Sequence, residues 1–536
     1  MVASSQPLAT AAGLDILSRN GNAADAAVAT AAALNVTEPT STGLGGDMFA
    51  LCYEAATGQV TALNGSGRAP ASLTLKLLQK HGFGMQAEGN TDTLLETNLP
   101  PFHPYTITVP GACAGWCDLL ERHGSAGLGL ETIFAPAIRL AEEGFPVAPM
   151  TSHFWQRAAD RQLKDSLNGI ELTIDGCGPN PGELFRNPGL ARTLKKIAEG
   201  GKKAFYEGEI GEAIAGTIQQ AGGCLEVADL AAHASTWDEP ISTTYHGLRL
   251  WECPPNGQGI ATLLALNILE GFDLTADALS ADRLHLEIEA MRLAFADTRW
   301  YVADPGIVPV PLAGLLSKEY AAERRLLIDG KKATVDQQRG TPVAGSDTVY
   351  FGVVDRWGNA CSFINSNYMG FGTGIVPHGW GFSLQNRGHN FSLDPGHPNS
   401  VAPGKRPYHT IIPAMITRET DGSLFGPMGV MGGFMQPQGH LQVFLRLGEG
   451  TDPQSALDMP RFCIEDGTAS GEVALEEGIP AEVIADLAQR GHQVKKVNGW
   501  EKVLFGRGQA ILRDPTTGTL IGGSDPRADG CAMTLS

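Results

Sequence analysis

Gly345-Ser346-Asp347-Thr348-Val349-Tyr350-Phe351-Gly352-Val353-Val354-Asp355-Arg356-Trp357-Gly358-Asn359-Ala360-Cys361-Ser362-Phe363-Ile364-Asn365-Ser366 places two runs of β-branched and aromatic residues on either side of a polar turn. With Gly358-Asn359 in that turn, the pattern is that of a β-hairpin. The first run, Val349 to Val354, is apolar with almost no alternation, which predicts a strand covered on both faces. The stretch before it, Asp329 to Asp347, is small and polar and reads as a flexible connector. Thr348 therefore stands where loop becomes buried strand.

A hydroxyl is a poor nucleophile at neutral pH unless a base lies within hydrogen-bond reach, and an α-amino group can be that base. Its ordinary pKa of about 7.7 to 8.0 suits proton transfer near neutrality. A cut between Asp347 and Thr348 would put nucleophile and base on one residue. Threonine is also an ordinary β-former, so a plain strand-start residue is the competing reading.

Working outward, Pro7 followed by Leu8, Ala11, Leu14 and Leu17 has helical spacing, with Gly21 suited to cap its end. Asn22 can cap a second helix, Ala23 to Ala33. Gly43-Leu44-Gly45-Gly46 lacks the GxGxxG spacing and the Lys-Ser or Lys-Thr of a phosphate loop, and leads into a strand from Met48 to Tyr53. Residues 86 to 104 read as a surface loop. Helical periodicity covers Val109 to Arg122, Leu130 to Gly144, Leu190 to Glu199, Ile210 to Ala221, Ile260 to Leu269 and Leu284 to Asp297. Pro254-Pro255-Asn256-Gly257 is a turn. Beyond Thr348 strands dominate, up to helices around Gln436 to Leu447 and Ala481 to Arg490.

The 536 residues suffice for two or three domains or one large layered one. A net charge of −19 disfavours nucleic acid and anionic membrane surfaces, leaving small-molecule chemistry. The nine cysteines are scattered without a CxxC pair, so a reduced, buried state is expected rather than a disulfide scaffold or zinc site. No basic, then apolar, leader opens the sequence and no run reaches membrane-span length, which predicts a cytoplasmic protein. His378, His389 and His397 lie in Gly/Pro-rich loops without ligand spacing, which argues against a metal there.

The run from Asp347 to Ile375 with Phe371-Gly372-Thr373-Gly374-Ile375, then Lys405-Arg406-Pro407 and Gly432-Gly433, resembles the γ-glutamyltransferase (glutathione hydrolase) family of N-terminal-nucleophile hydrolases. Asn20-Gly21-Asn22-Ala23-Ala24-Asp25-Ala26-Ala27 and Gly523-Ser524-Asp525-Pro526-Arg527 extend the likeness, in the family's order, over nearly the whole chain. The resemblance implies a four-layer αββα sandwich built from intertwined pieces 1–347 and 348–536. It implies Thr348 as nucleophile, Ser366 as the hydroxyl that orients it, and no cofactor. It also implies a heterodimer of the two cleavage products, which can pair further. At Gly432-Gly433 two backbone N–H groups can point at one oxyanion, with substrate approaching where no Cβ stands; an ordinary tight turn is the alternative.

The acyl pocket departs from the transferase pattern. Asn390 stands at the position of the acid that holds a substrate α-ammonium, Arg387 where a neutral amide is usual, and His409-Thr410 in place of a Ser-Ser pair. Tyr368 replaces an Asn, and Arg68 is a near match, shifted by two places, to the arginine that grips the α-carboxylate. Asn neutralises no buried ammonium, whereas Arg387, Arg68 and His409 can hold a carboxylate, unless they form plain surface ion pairs. The expected activity is self-processing amide hydrolysis or acyl transfer of the glutathione hydrolase kind. Des-amino acidic acyl amides, glutaryl or oxamate, are the alternative substrates, and a non-catalytic binding scaffold is the alternative of another class.

Overall fold

A computed structural model describes residues 1–84, 98–334, 347–468 and 471–535. The hairpin forms as its sequence dictates: Asp347–Val354 and Ala360–Tyr368 pair antiparallel, with Phe363 opposite Phe351 and Ile364 opposite Tyr350. Asp355 Oδ1 accepts from Trp357 N at 2.9 Å and Asn359 N at 3.0 Å, and Gly358 takes φ +87°, a left-handed position open to glycine.

This hairpin lies inside a seven-stranded sheet, ordered Cys531–Met533, Val2–Ser4, Asp347–Val354, Ala360–Tyr368, Asp47–Glu54, Gln59–Gly65, Thr236–Asp238. A six-stranded sheet, ordered Leu520–Ser524, Arg507–Arg513, Leu424–Met431, Ala414–Arg418, Leu248–Glu252, Ile241–Tyr245, packs against it. Both sheets interleave strands from before and after Thr348.

The unbroken apolar run is explained by its two neighbours. Val349, Phe351 and Val353 face a helical layer of Pro7–Ser18, Ala23–Thr37 and Ala112–His123. Tyr350 and Val354 face the second sheet, meeting Ile411, Met415, Met431 and Ile511. Full burial of each such side chain contributes roughly 1.5–3 kcal/mol. On the far side of the second sheet, Ile260–Leu269, Ala281–Tyr301 and Met435–Gly448 form the fourth layer over Leu250, Ala414, Met428 and Val430. The architecture is the expected four-layer αββα sandwich.

Local signals act largely as read. Asn22 Oδ1 accepts from Ala24 N and Asp25 N, and Asp25 returns the bond to Asn22 N, so the fully buried Ala23–Thr37 has a reciprocal cap. It runs four residues past the expected Ala33, its alanines packing close to the sheet. The first helix ends differently from expectation: Asn20, at φ +67°, takes the left-handed position, and Gly21 N bonds Ile16 O at 3.0 Å. The helix expected from Val109 starts at Ala112, after Pro110-Gly111, and Pro188–Tyr206 continues past Glu199 with a break at Gly201. The connector's residues 335–346 and residues 86–97 of the expected surface loop lie outside the described residues; 98–103 are irregular, Pro104 opens the short 3-10 helix Pro104–Thr106, and 329–334 are held by bonds such as Ala333 N to Arg490 O at 2.7 Å. All nine cysteines are free, yet only five are buried; Cys177 is exposed and Cys117, Cys224 and Cys531 partly so, because they lie on outer helices, loops and an edge strand. No helix of the described residues is long and apolar enough to cross a membrane.

Candidate active site

Thr348 is the second residue of its strand and is fully buried. Across the hairpin Ser366 lies on the adjacent strand, and the two hydroxyl oxygens stand 3.0 Å apart. Ser366 Oγ also accepts from Tyr368 N at 2.9 Å and from Arg387 Nη2 at 3.2 Å. A break in the pairing register between Asn365 and Tyr368, with Tyr368 at φ +80°, makes this possible by turning the backbone onto the Ser366 hydroxyl. A non-glycine residue there costs about 1–3 kcal/mol, which the surrounding packing offsets.

Arg387 comes from the short helical turn Arg387–Asn390 and has no solvent exposure. Its Nη1 donates to Thr410 Oγ1 at 2.6 Å and its guanidinium stacks over the Tyr368 ring, 4.4 Å from the centroid. Among the described residues its Nε has no hydrogen-bond partner. Burial pulls the guanidinium down to about 10, with Asp47 and Tyr368 opposing, so it is still a cation at neutral pH.

Asp47, at the entry to its strand, supplies the counter-charge. Its Oδ1 accepts from Gly67 N at 3.0 Å, Gly111 N at 3.1 Å and Gln385 Nε2 at 2.9 Å, and Oδ2 from His409 Nε2 at 3.0 Å. Burial works against ionisation, but these donors and the Arg387 charge outweigh it and hold the carboxyl below its usual range. His409 is pushed down to about 3 by burial and then by Arg387, so it is a neutral donor committed to Asp47. This differs from the carboxylate-holding role its sequence position suggests.

Around Gly432 (φ +132°) and Gly433 (φ +63°), neither backbone N–H has a partner among the described residues. A Cβ on Gly432 would stand 3.2 Å from Gly506 Cα. Gln258 ties this turn to the site, its Nε2 donating to Thr410 O at 2.7 Å and Gly433 O at 2.8 Å, while Tyr408 Oη donates to its Oε1 at 3.1 Å. The glycines at 45 and 46 act by close approach: a Cβ at Gly46 would meet Ser366 O at 2.2 Å and one at Gly45 would meet Ser383 O at 2.0 Å.

Thr348, Ser366, Tyr368, Arg387 and Thr410 thus form one bonded group, with His409 joined through Asp47. Asn390, partly exposed, donates to Tyr408 O at 3.1 Å and also bonds the Tyr368 hydroxyl. Arg68 does not join them; it bonds Asp304 Oδ2 at 3.3 Å and Gly404 O at 3.2 Å. Asp47, Gln258 and Gln385 escaped the sequence reading. The signal for Asp47 was an acid between a glycine turn and an apolar strand, and for Gln258 and Gln385 an amide beside a turn or a basic residue. His378, His389 and His397 bond separately to Glu171, Leu99 O and Arg299 O.

Comparison with known proteins gives three findings. The profile described as gamma-glutamyltranspeptidase matches residues 9–535. Two curated relatives align over the whole chain: the glutathione hydrolase-like YwrD proenzyme of Bacillus subtilis (strain 168), 36% identical with 98% of its length covered, and the acylase ACY 1 proenzyme of Pseudomonas sp. (strain V22), 35% identical with 93% covered. Among solved structures, a cephalosporin acylase from Bacillus halodurans superposes with a TM-score of 0.91 at 46% identity, covering 100% of this chain and 95% of that one.

Proposed function

The chain belongs to the gamma-glutamyltranspeptidase family and is an enzyme of the N-terminal-nucleophile amidohydrolase type, and we propose that it cuts its own Asp347–Thr348 bond and then hydrolyses amides of acidic acyl groups lacking an α-amino group. The observation that carries this reading is the bonded chain from Thr348 Oγ1 through Ser366 Oγ to the buried Arg387 guanidinium.

In the cut, Thr348 Oγ1 adds to the Asp347 carbonyl and the C–N bond breaks, its nitrogen taking up a proton. Water then hydrolyses the resulting ester, leaving an Asp347 α-carboxylate and a free Thr348 amine. In turnover that amine takes the proton of Thr348 Oγ1 as the oxygen attacks the substrate carbonyl, and gives it to the departing amine. Ser366 Oγ, which accepts from Tyr368 N and Arg387 Nη2, stands 3.0 Å from Thr348 Oγ1, and a proton donated across that contact stabilises charge developing on Thr348 Oγ1. The free N–H groups of Gly432 and Gly433 receive the oxyanion. Water releases the acyl group.

The acyl preference is supported by charge. Arg387 is a buried cation with a bare Nε, and the neighbouring Asn390 is neutral. A carboxylate relieves that cation and an ammonium repels it. Relatives named acylase and cephalosporin acylase fit this reading, and the name of the glutathione hydrolase-like relative favours γ-glutamyl compounds instead.

The test of the cut is direct. Native protein should run as two pieces on a denaturing gel, residues 1–347 and 348–536, the second beginning with threonine, and a Thr348→Ala chain should stay whole. Native protein left as one band after prolonged incubation would overturn self-cleavage and favour a binding scaffold.

A further inference from the structure

Away from Thr348, His285, Glu289 and His492 meet in the interior. One ligand atom from each lies within 4.8 Å of the others, and they are the one such His/Cys/Asp/Glu group among the described residues. His285 and Glu289 are one turn apart on Ala281–Tyr301 and project from the same side. His492 follows the helix Ala481–Gln489. All three are buried, with relative exposures of 0%, 2% and 4%.

The hydrogen-bond pattern inside the group does not close. His285 Nε2 lies 2.7 Å from the Asp329 carbonyl, so it carries the proton and Nδ1 is an acceptor. His492 Nε2, 2.8 Å from that Nδ1, must then be the donor, and His492 Nδ1 is left an acceptor with no partner among the described residues. Glu289 Oε2 accepts from Thr334 N at 2.8 Å, but Oε1 has no hydrogen bond among the described residues; Arg292 Nε stands 3.7 Å from it. Two buried acceptors, a ring nitrogen and a carboxylate oxygen, thus lack a donor, a costly arrangement that a shared cation relieves.

We propose that His285, Glu289 and His492 form a binding site for a divalent ion of the zinc class. Two imidazoles and one carboxylate are the donor set such an ion takes, and the carbonyl that fixes the His285 ring plays the outer-shell part usual for metal-bound histidine. Bonds of about 2.0–2.2 Å hold ligand atoms roughly 3–3.5 Å apart, so the cluster closes when the His492 ring turns to bring its bare Nδ1, in place of Nε2–H, toward His285 Nδ1. The groups facing it include two cations, Arg292 and Arg490. Against them stand four carboxylates, Glu289, Asp282, which pairs with Arg490, Asp466, which acts on Arg292, and Asp486, which acts on His285, so carboxylates are in excess.

The ligands come from both sides of Thr348. On the self-cleavage reading above, the ion fastens residues 1–347 to residues 348–536; binding itself does not depend on that reading.

The experiment uses the full untagged chain, stripped with chelator, in native and Thr348→Ala forms, titrated with zinc chloride by calorimetry. Metal content after desalting and the visible spectrum with cobalt(II) accompany it. One zinc per chain and a four-coordinate cobalt spectrum are expected. His492→Gln or Glu289→Gln should weaken binding by more than the 10–100-fold typical of losing an outer-shell partner. If a variant fails to fold, the native cobalt spectrum and stoichiometry still decide. No retained zinc in the native chain, or an affinity unchanged in a folded variant, overturns the site. A chain that binds one zinc yet stays uncut keeps the site and removes cleavage; a cut chain that binds none does the reverse.

Discussion

Substrates differing only by an ammonium give the sharpest test of the pocket. A γ-glutamyl and a glutaryl p-nitroanilide share the reacting carbonyl and the distal carboxylate; the γ-glutamyl compound adds an α-ammonium. Burial has pulled Arg387 from the usual guanidinium range to about 10, which corresponds to roughly 3 kcal/mol for holding that charge. A second cation about 5 Å away at an effective dielectric near 20 adds about 3 kcal/mol of repulsion. Asn390 cannot cancel it. Native enzyme should therefore favour the glutaryl compound by about 10²-fold in kcat/KM, since about 1.4 kcal/mol is tenfold. Arg387→Gln with Asn390→Asp should reverse the order. Circular dichroism establishes that the variant folds, and rates are normalised to the fraction cut as read from gels. Faster cleavage of the γ-glutamyl compound by native enzyme would refute the pocket argument and return the protein to glutathione-type substrates.

Ser366→Ala removes the hydroxyl beside Thr348 and strips Arg387 Nη2 of an acceptor; loss of a bond to a charged group is worth about 1.5–3 kcal/mol, so self-cleavage and turnover should both slow about 10–10²-fold, and Ser366→Thr should restore most of each in timed gels and initial rates. Val at Gly432 or Gly433 should lower kcat by roughly 10²–10³, because the left-handed backbone at φ +132° and +63° and, at Gly432, the 3.2 Å approach to Gly506 displace an oxyanion donor; unchanged rates in folded variants would move the oxyanion site. His409, held to about 3 in the fold, has an unfolded pKa near 6.5, so the unfolded chain binds the extra proton between those values. Its contribution is complete above about 6.5 and is lost as pH falls toward 3, with a slope near 1.4 kcal/mol per pH unit. Burial-raised Glu252 acts in the opposite sense above its ordinary pKa, so the measurement is the difference between native and His409→Asn denaturation curves across that range, and equal slopes would exclude His409 as the source.

How much was legible in the chain follows from the range over which each feature is determined. The hairpin was readable because an unbroken apolar run and Gly358-Asn359 fix it locally, and helices such as Ile260–Leu269 because their spacing is local too. Helix ends were less so: Asn20 took the left-handed position that Gly21 could equally have filled. The Thr348 and Ser366 pairing followed from the resemblance, not from register, since the ladder breaks between Asn365 and Tyr368. The His409 contact did not, since its partner Asp47 lies 362 residues away in sequence. Gln258 was hidden for the same reason, its bonds spanning 152 and 175 residues. A buried neutral histidine and a carboxylate-binding one have the same letter; only the partner distinguishes them.

The interleaving of strands gives self-cleavage a second meaning. Thr348 meets Ser366 within one hairpin, but Arg387, Thr410 and Asp47 reach that hairpin only when distant segments have docked, and such contacts form late because long loops must close first. On the proposed chemistry, the Asp347–Thr348 bond is an internal clock of folding. A chain trapped short of the native state lacks the charge beside Ser366 and keeps the bond intact. The fraction cut in a pulse-labelled population thus counts molecules that have completed their tertiary structure, a permanent covalent record of an otherwise transient event.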